Sequence, residues 1–149
     1  DARLFIVGTG PSLERVRNIA KSMNLLKNIS FMGRLSNEDL ASLISSSWIN
    51  IHCSVTEGFG LSIIESSASG TPTVAYSVPG VSETIEDGKN GILVRDGDPK
   101  ELGFGLMKII ESFPGKWIES SREVALKYSW ENTVQRWERL LLNISGSNE

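Results

Sequence analysis

The sequence predicts an α/β domain built on a mostly parallel sheet. Three observations carry this: short β-rich runs recur from Leu4 to Val94, each is bounded by Gly, Pro, Ser or Asn, and the gaps between them leave room for one helix apiece. Gaps of that length suit right-handed crossovers between parallel neighbours, and a parallel sheet is covered by helices on both faces.

Taken in order, the strands fall at Leu4 to Val7, Ile29 to Met32, Ile49 to Cys53, Thr73 to Tyr76 and Gly91 to Val94. After the first, Leu13, Val16, Ala20 and Met23 form an i, i+3, i+7, i+10 stripe, the mark of a one-sided amphipathic helix, with Pro11 suited to its first turn. Between the second and third strands, Ser36-Asn37-Glu38-Asp39 reads as a capping box ahead of Leu40, Leu43 and Ile44. A third helix follows the third strand, with Leu61, Ile64 and Ala68 expected on its inner face. Beyond the fifth strand the alternation stops. Asp98-Pro99-Lys100-Glu101 opens a helix carrying Leu102, Leu106, Ile109, Ile110 and Phe113, and Pro114-Gly115 breaks it. Two more helices follow. The last, opened by Ser129, spaces Trp130, Val134, Trp137 and Leu141 as a seam, most of which is expected to join the core. Residues 146–149 read as a frayed tail.

The chain of 149 residues is expected to form one domain, 1–149, of ordinary soluble composition. A balance of 15 Lys plus Arg against 18 Asp plus Glu leaves no basic footprint for nucleic acid. One cysteine and one histidine exclude an internal disulfide and a zinc-type ligand cluster, so no metal site is expected. No apolar run approaches the roughly 18 residues of a membrane span, and the expected setting is the cytoplasm.

Ligands of parallel α/β sheets bind beyond the carboxyl ends of the strands, so the loops there hold the chemistry. Val7-Gly8-Thr9-Gly10-Pro11-Ser12 ends a strand in two glycines, but Leu13 replaces a third glycine and no acid lies near Ser30; a dinucleotide fingerprint is therefore incomplete. The run Ser54-Val55-Thr56-Glu57-Gly58-Phe59-Gly60-Leu61 says more. Its glycines let the backbone approach a ligand, and the helix that follows offers free first-turn amides to an anion. Glu65 lies roughly 7–8 Å along the axis from Gly60, its side chain tilted back toward the helix start, where a carboxylate can accept hydrogen bonds from a diol. Two readings fit these residues. In one, Glu57 and Glu65 grip hydroxyls on either side of a bound diphosphate; in the other, Glu57 caps a turn and Glu65 is a solvated helix residue. Pro79-Gly80-Val81-Ser82-Glu83 adds a second glycine turn and expected helix start, and two such openings side by side make a cleft.

Glu57-Gly58-Phe59-Gly60-Leu61, Glu65 eight residues after Glu57, and Gly70-Thr71-Pro72-Thr73-Val74 together resemble the Glu-x7-Glu signature of retaining family 4 (group 1) glycosyltransferases. Gly80, Glu83, Asp87-Gly88, Asn90-Gly91, Leu93-Val94, Ile6-Val7-Gly8-Thr9-Gly10-Pro11, Phe31-Met32-Gly33-Arg34 and Tyr128-Ser129-Trp130-Glu131 extend the match over nearly the whole chain. The resemblance implies a Rossmann-like sheet of about five strands, one half of a GT-B enzyme that transfers a sugar from a nucleoside-diphosphate sugar with retention of anomeric configuration. It implies that Glu57 contacts the donor sugar as the catalytic residue, Glu65 holds the ribose, and amides of Phe59, Gly60 and Leu61 face the diphosphate, with Gly58 also donor-binding. Gly8 and Gly10 would line the same cleft, with Gly33, Arg34 and Leu35 beside the base. No cofactor and no metal is implied beyond the nucleotide-sugar substrate.

Departures are Cys53 where the family often has Pro and Ser66 where it often has Ala. More important is charge. No Lys or Arg occurs between Arg34 and Lys89, and a helix dipole of about half a charge does not neutralise a dianionic diphosphate. In the family the cations precede the first glycine turn. The chain therefore reads as a fragment lacking the first strand of this domain and the N-terminal acceptor-binding domain, its expected partner. It binds donor weakly and transfers nothing alone on that reading, and the longer enzyme is compatible with peripheral membrane association. The rival classes are a non-catalytic module binding sugar nucleotides or a protein, and an epimerase or phosphorylase on the same fold. His52 is expected to be structural, Cys53 buried and unreactive, and Trp48, Trp117, Trp130 and Trp137 packing residues. Glu86 and Asp87 belong to a turn with Gly88, and Arg34 is either a surface residue or a base or phosphate contact.

Overall fold

A computed structural model describes residues 2–146. Its elements run β1 (Leu4–Val7), α1 (Leu13–Ser22), β2 (Ile29–Gly33), α2 (Asn37–Ser45), β3 (Asn50–His52), α3 (Leu61–Ala68), β4 (Thr73–Tyr76), β5 (Gly91–Val94), α4 (Pro99–Ser112), α5 (Trp117–Leu126) and α6 (Trp130–Gly146). The class is α/β and every ladder is parallel, as the strand spacing predicts. The strands are divided between two sheets, β1-β2 and β3-β4-β5. The chain correspondingly splits into two compact units, residues 1–42 and 43–149. Gly146 ends α6, and the rest of the expected frayed tail lies outside the described residues.

In the first unit, β1 and β2 pair from Leu4 opposite Ile29 to Ile6 opposite Phe31, then shift register so that Val7 lies opposite Gly33. The predicted capping box forms: the Ser36 hydroxyl accepts from the Asp39 amide at 3.1 Å and donates to the Asp39 carboxylate at 2.8 Å. The α1 stripe buries only Ala20 fully, leaving Val16 and Met23 exposed. Leu4, Phe5 and Val7 of β1 are exposed too, because two strands and so short a chain bury little of the apolar surface they carry.

The second unit holds the main core. All four residues of β4 are buried, the near-continuous apolar run of a strand covered on both faces. Val74, Ala75, Ile92, Val94, Leu102, Ile109 and Trp117 belong to one cluster around it. Helix α4 starts as predicted, with Pro99 at its head and the Asp98 carboxylate accepting from the Lys100 amide at 2.9 Å. It lies against β4 and β5, while α5 lies against α3. Asn90 stitches this unit internally: fully buried, it accepts from the Glu86 amide at 2.8 Å and donates to Thr84 O at 2.9 Å and Ser67 Oγ at 3.0 Å.

Several expectations are corrected. The inner face of α3 is Ile63, Ser66 and Ser67, whereas Leu61 and Ala68 face solvent. Serines occupy the interior because their hydroxyls are paired, Ser66 donating to Thr71 O at 2.9 Å and Ser67 accepting from Asn90. Residues 78–85 form successive turns and not a helix. The α6 seam is exposed, with Trp130 at 81% and Trp137 at 60% of full accessibility, so it is not core; α3, α4 and α5 are the helices packed on the second unit's interior. Of the four tryptophans only Trp117 is buried, its indole N–H donating to Ser112 Oγ at 2.8 Å. Trp48 is exposed and stacks on Phe113. Cys53 is exposed, correcting its expected burial, because β3 is the end strand of its ladder. Partial burial of the thiol still pushes its ionisation above the ordinary cysteine range, which keeps it protonated and a weak nucleophile.

Helix α4 touches the sheet at Gly105, where an added Cβ would come within 2.8 Å of Val74 Cγ1 and 3.2 Å of Val94 Cγ1. Gly103, one turn face away, has nothing within 4 Å. Replacing a helical glycine by alanine gains up to about 1 kcal/mol of backbone entropy, while overpacking costs about 1–3 kcal/mol. Gly103→Ala is therefore expected to raise stability by about 0.5–1 kcal/mol and Gly105→Ala to lower it by about 1–2 kcal/mol. Urea unfolding of both variants checks this; equal responses would show that α4 does not pack at Gly105.

Candidate functional site

Strand β3 ends at His52, and the chain turns through residues 53–60 into α3. Gly60 makes the turn possible: it caps α3 in the left-handed region at φ 75°, and Ile63 N–H closes the first turn on Gly60 O at 2.9 Å. No side chain caps this helix, and no acidic residue sits in its first turn. The amides at the start of α3 therefore keep their partial positive charge and face outward without an anion of their own.

The second glycine loop lies directly against the first. Gly80 has φ 82°, and a Cβ there would sit 2.2 Å from Glu57 O and 2.8 Å from Glu57 C. Only glycine permits this approach. A Cβ on Gly60 would likewise meet Thr84 Oγ1 at 3.2 Å, and the fully buried Thr84 is tied back to Val81 O at 3.0 Å. Tyr128 fastens both loops from the far side. Its ring meets Phe59 edge-on at 5.7 Å, and its hydroxyl donates to Glu83 O at 2.7 Å. The Glu86 carboxylate is bonded to Lys89 at 2.8 Å and to Lys127 at the end of α5. These two ammonium groups, Lys127 foremost, hold Glu86 below the ordinary carboxylate range.

Glu57 is half-buried at the mouth of the turn. One carboxylate oxygen accepts from the Gly58 amide at 3.1 Å, the turn-capping geometry, and the other lies 3.3 Å from His52 Nε2. That nitrogen is shielded from solvent, and the contact is at ion-pair distance but out of line for a hydrogen bond. Glu65 is exposed on α3, and its carboxylate meets no hydrogen-bond or ion-pair partner among the described residues. Phe59 and Leu61 are exposed, while Gly60 is buried.

The second unit thus brings together Glu57, Gly58, Phe59, Gly60, Leu61 and Glu65. Gly8, Gly10, Gly33, Arg34 and Leu35 belong to the first unit, where the Gly8 amide donates to Gly33 O at 2.6 Å and joins the two strand ends. Gly8 and Gly33 take positive φ values of 116° and 66°. Sequence reasoning set His52 aside and did not weigh Tyr128 as a clamp. The signals were the position of His52 at a strand end and the Tyr128-Ser129-Trp130 motif.

The chain was compared with known proteins. The family profile described as "Glycosyl transferases group 1" matches residues 1–124. The poly(glycerol-phosphate) alpha-glucosyltransferase of Bacillus subtilis (strain 168) is 31% identical over 140 residues, which are 92% of this chain and 20% of that protein. The sucrose-phosphate synthase of Thermosynechococcus elongatus superposes with a TM-score of 0.83 at 25% identity, covering 98% of this chain and 39% of the synthase. TarM from S. aureus, in complex with fondaparinux, alpha-GlcNAc-glycerol and UDP, superposes with a TM-score of 0.82 at 25% identity, covering 93% and 28% respectively. The chain spans well under half the length of each.

Lys127→Ala tests the fastening of the second loop. A carboxylate whose ionisation is lowered by folding contributes stability that is present above its unfolded pKa and lost as pH falls through the lowered folded value. The variant is expected to be less stable than the parent at neutral pH, by a small margin because Glu86 is 33% exposed. The difference is expected to shrink as pH drops through the carboxylate range. Urea unfolding across a pH series reads it, and a deficit unchanged in acid would mean that Lys127 acts by packing alone.

Proposed function

The chain belongs to the group 1 glycosyltransferases, and on that premise we propose that it is the donor-binding domain of a longer enzyme that transfers a sugar from a nucleoside-diphosphate sugar with retention of configuration. The observation that carries the proposal is the paired glycine loops: Gly80 pressed against the Glu57 backbone fixes an uncapped helix start, with carboxylates on both sides of it. Backbone amides of residues 59–61 take the diphosphate, and the positive end of the α3 dipole faces it. Glu65, whose carboxylate meets no partner among the described residues, accepts from the ribose diol. Glu57 faces the sugar, where an anion stabilises the positive charge that develops at the anomeric carbon.

Support for a uridine nucleotide comes from TarM, a fold match whose complex contains UDP. The proposed chemistry needs no metal ion, since the diphosphate leaving group is stabilised by main-chain donors and by cations supplied outside residues 35–88. Acceptor recognition is assigned to the partner domain of the longer protein.

Calorimetric titration with UDP and GDP tests the site. UDP is expected to bind, and Glu65→Ala to weaken it by about tenfold or more, because a hydrogen bond to a charged group contributes about 1.5–3 kcal/mol. Glu57→Ala should leave UDP affinity close to that of the parent. Heat from neither nucleotide, or an unaltered UDP affinity in Glu65→Ala, would refute the assignment and favour a protein-binding module.

A further inference from the structure

His52 is the sole histidine of the chain, and between Arg34 and Lys89 it is the sole side chain able to take up a positive charge. One ring nitrogen faces the glycine turn and the other the first turn of α3. Nε2, shielded from solvent, lies 3.3 Å from Glu57 Oε2, and Nδ1 lies 3.4 Å from the hydroxyl of Ser62 in the first turn of α3. A histidine that merely filled the strand end would pair with backbone; neither nitrogen does so here. The other Glu57 oxygen is held by the Gly58 amide at 3.1 Å. The carboxylate is thereby hydrogen-bonded through one oxygen and approached at the other by a ring that also abuts the helix start.

We propose that His52 is a positioning residue: it fixes the Glu57 carboxylate relative to the amides at the start of α3, so that a sugar and its diphosphate are met in register. The proposal rests on the nucleotide-sugar reading of the site. It assigns His52 no contact with substrate. Its effect is confined to the part of a ligand that Glu57 faces, the sugar, and it leaves a nucleotide without the sugar unaffected.

Glutamine places an amide nitrogen where Nε2 stands, and asparagine places one where Nδ1 stands. Titrating the chain with UDP and with UDP-glucose, His52→Ala is expected to weaken UDP-glucose by about fivefold or more and UDP by less than about twofold. His52→Gln is expected to recover most of the loss, and His52→Asn to recover none. Equal weakening of the two ligands, or equal recovery by both amides, overturns the positioning role. A second measurement needs no ligand: the ring-nitrogen resonances of the single imidazole are expected to move in Glu57→Gln. Unmoved resonances overturn the contact. Absence of nucleotide binding by the parent chain would instead defeat the donor-site reading, and the resonances would still decide whether His52 holds Glu57.

Discussion

The site depends on one close approach, that of Gly80 to the backbone of Glu57. A side chain of any size at position 80 would occupy the space of the Glu57 carbonyl, and the positive φ there disfavours every residue with a Cβ. Because the two loops touch through main chain, the turn at residues 57–60 is held by atoms that cannot change rotamer. Tyr128 and the Glu86–Lys127 pair reinforce the same contact from α5 and the segment after it. The loops are consequently positioned by the core, although their outward-facing residues are exposed.

Beneath them the core is consistent from level to level. Strand β4 is buried on both faces, α4 comes within van der Waals limits of it at Gly105, and Asn90 satisfies three backbone and side-chain groups that would otherwise be orphaned. Rigid support of this kind is what a site made of amides requires, since such donors are useful only when their direction is fixed before the ligand arrives.

Much of this was legible in the residues. The strand bounds Leu4–Val7, Thr73–Tyr76 and Gly91–Val94 were set by local composition and turn residues, and the Ser36 box and the Asp98-Pro99 start are chemistry written in four consecutive letters. The α3 interior was illegible because hydrophobic periodicity cannot register serines buried by virtue of paired hydroxyls. The α6 seam was misjudged for the opposite reason: an apolar stripe shows that a helix wants cover and says nothing of where the cover comes from. Division of the strands between two sheets depends on pairings distant in sequence, which spacing does not encode. The Glu-x7-Glu pattern located both acids on the loop and helix, but the approach of His52 to Glu57 arises from the bend of the chain between them.

A seat for an anion assembled from peptide groups, as proposed for this turn, would be decoupled from side-chain identity. Exchange of the exposed Leu61 side chain removes no backbone donor, whereas Gly60 and Gly80 tolerate almost no exchange. Changes in what projects from such a seat would alter what it meets and leave the seat itself in place.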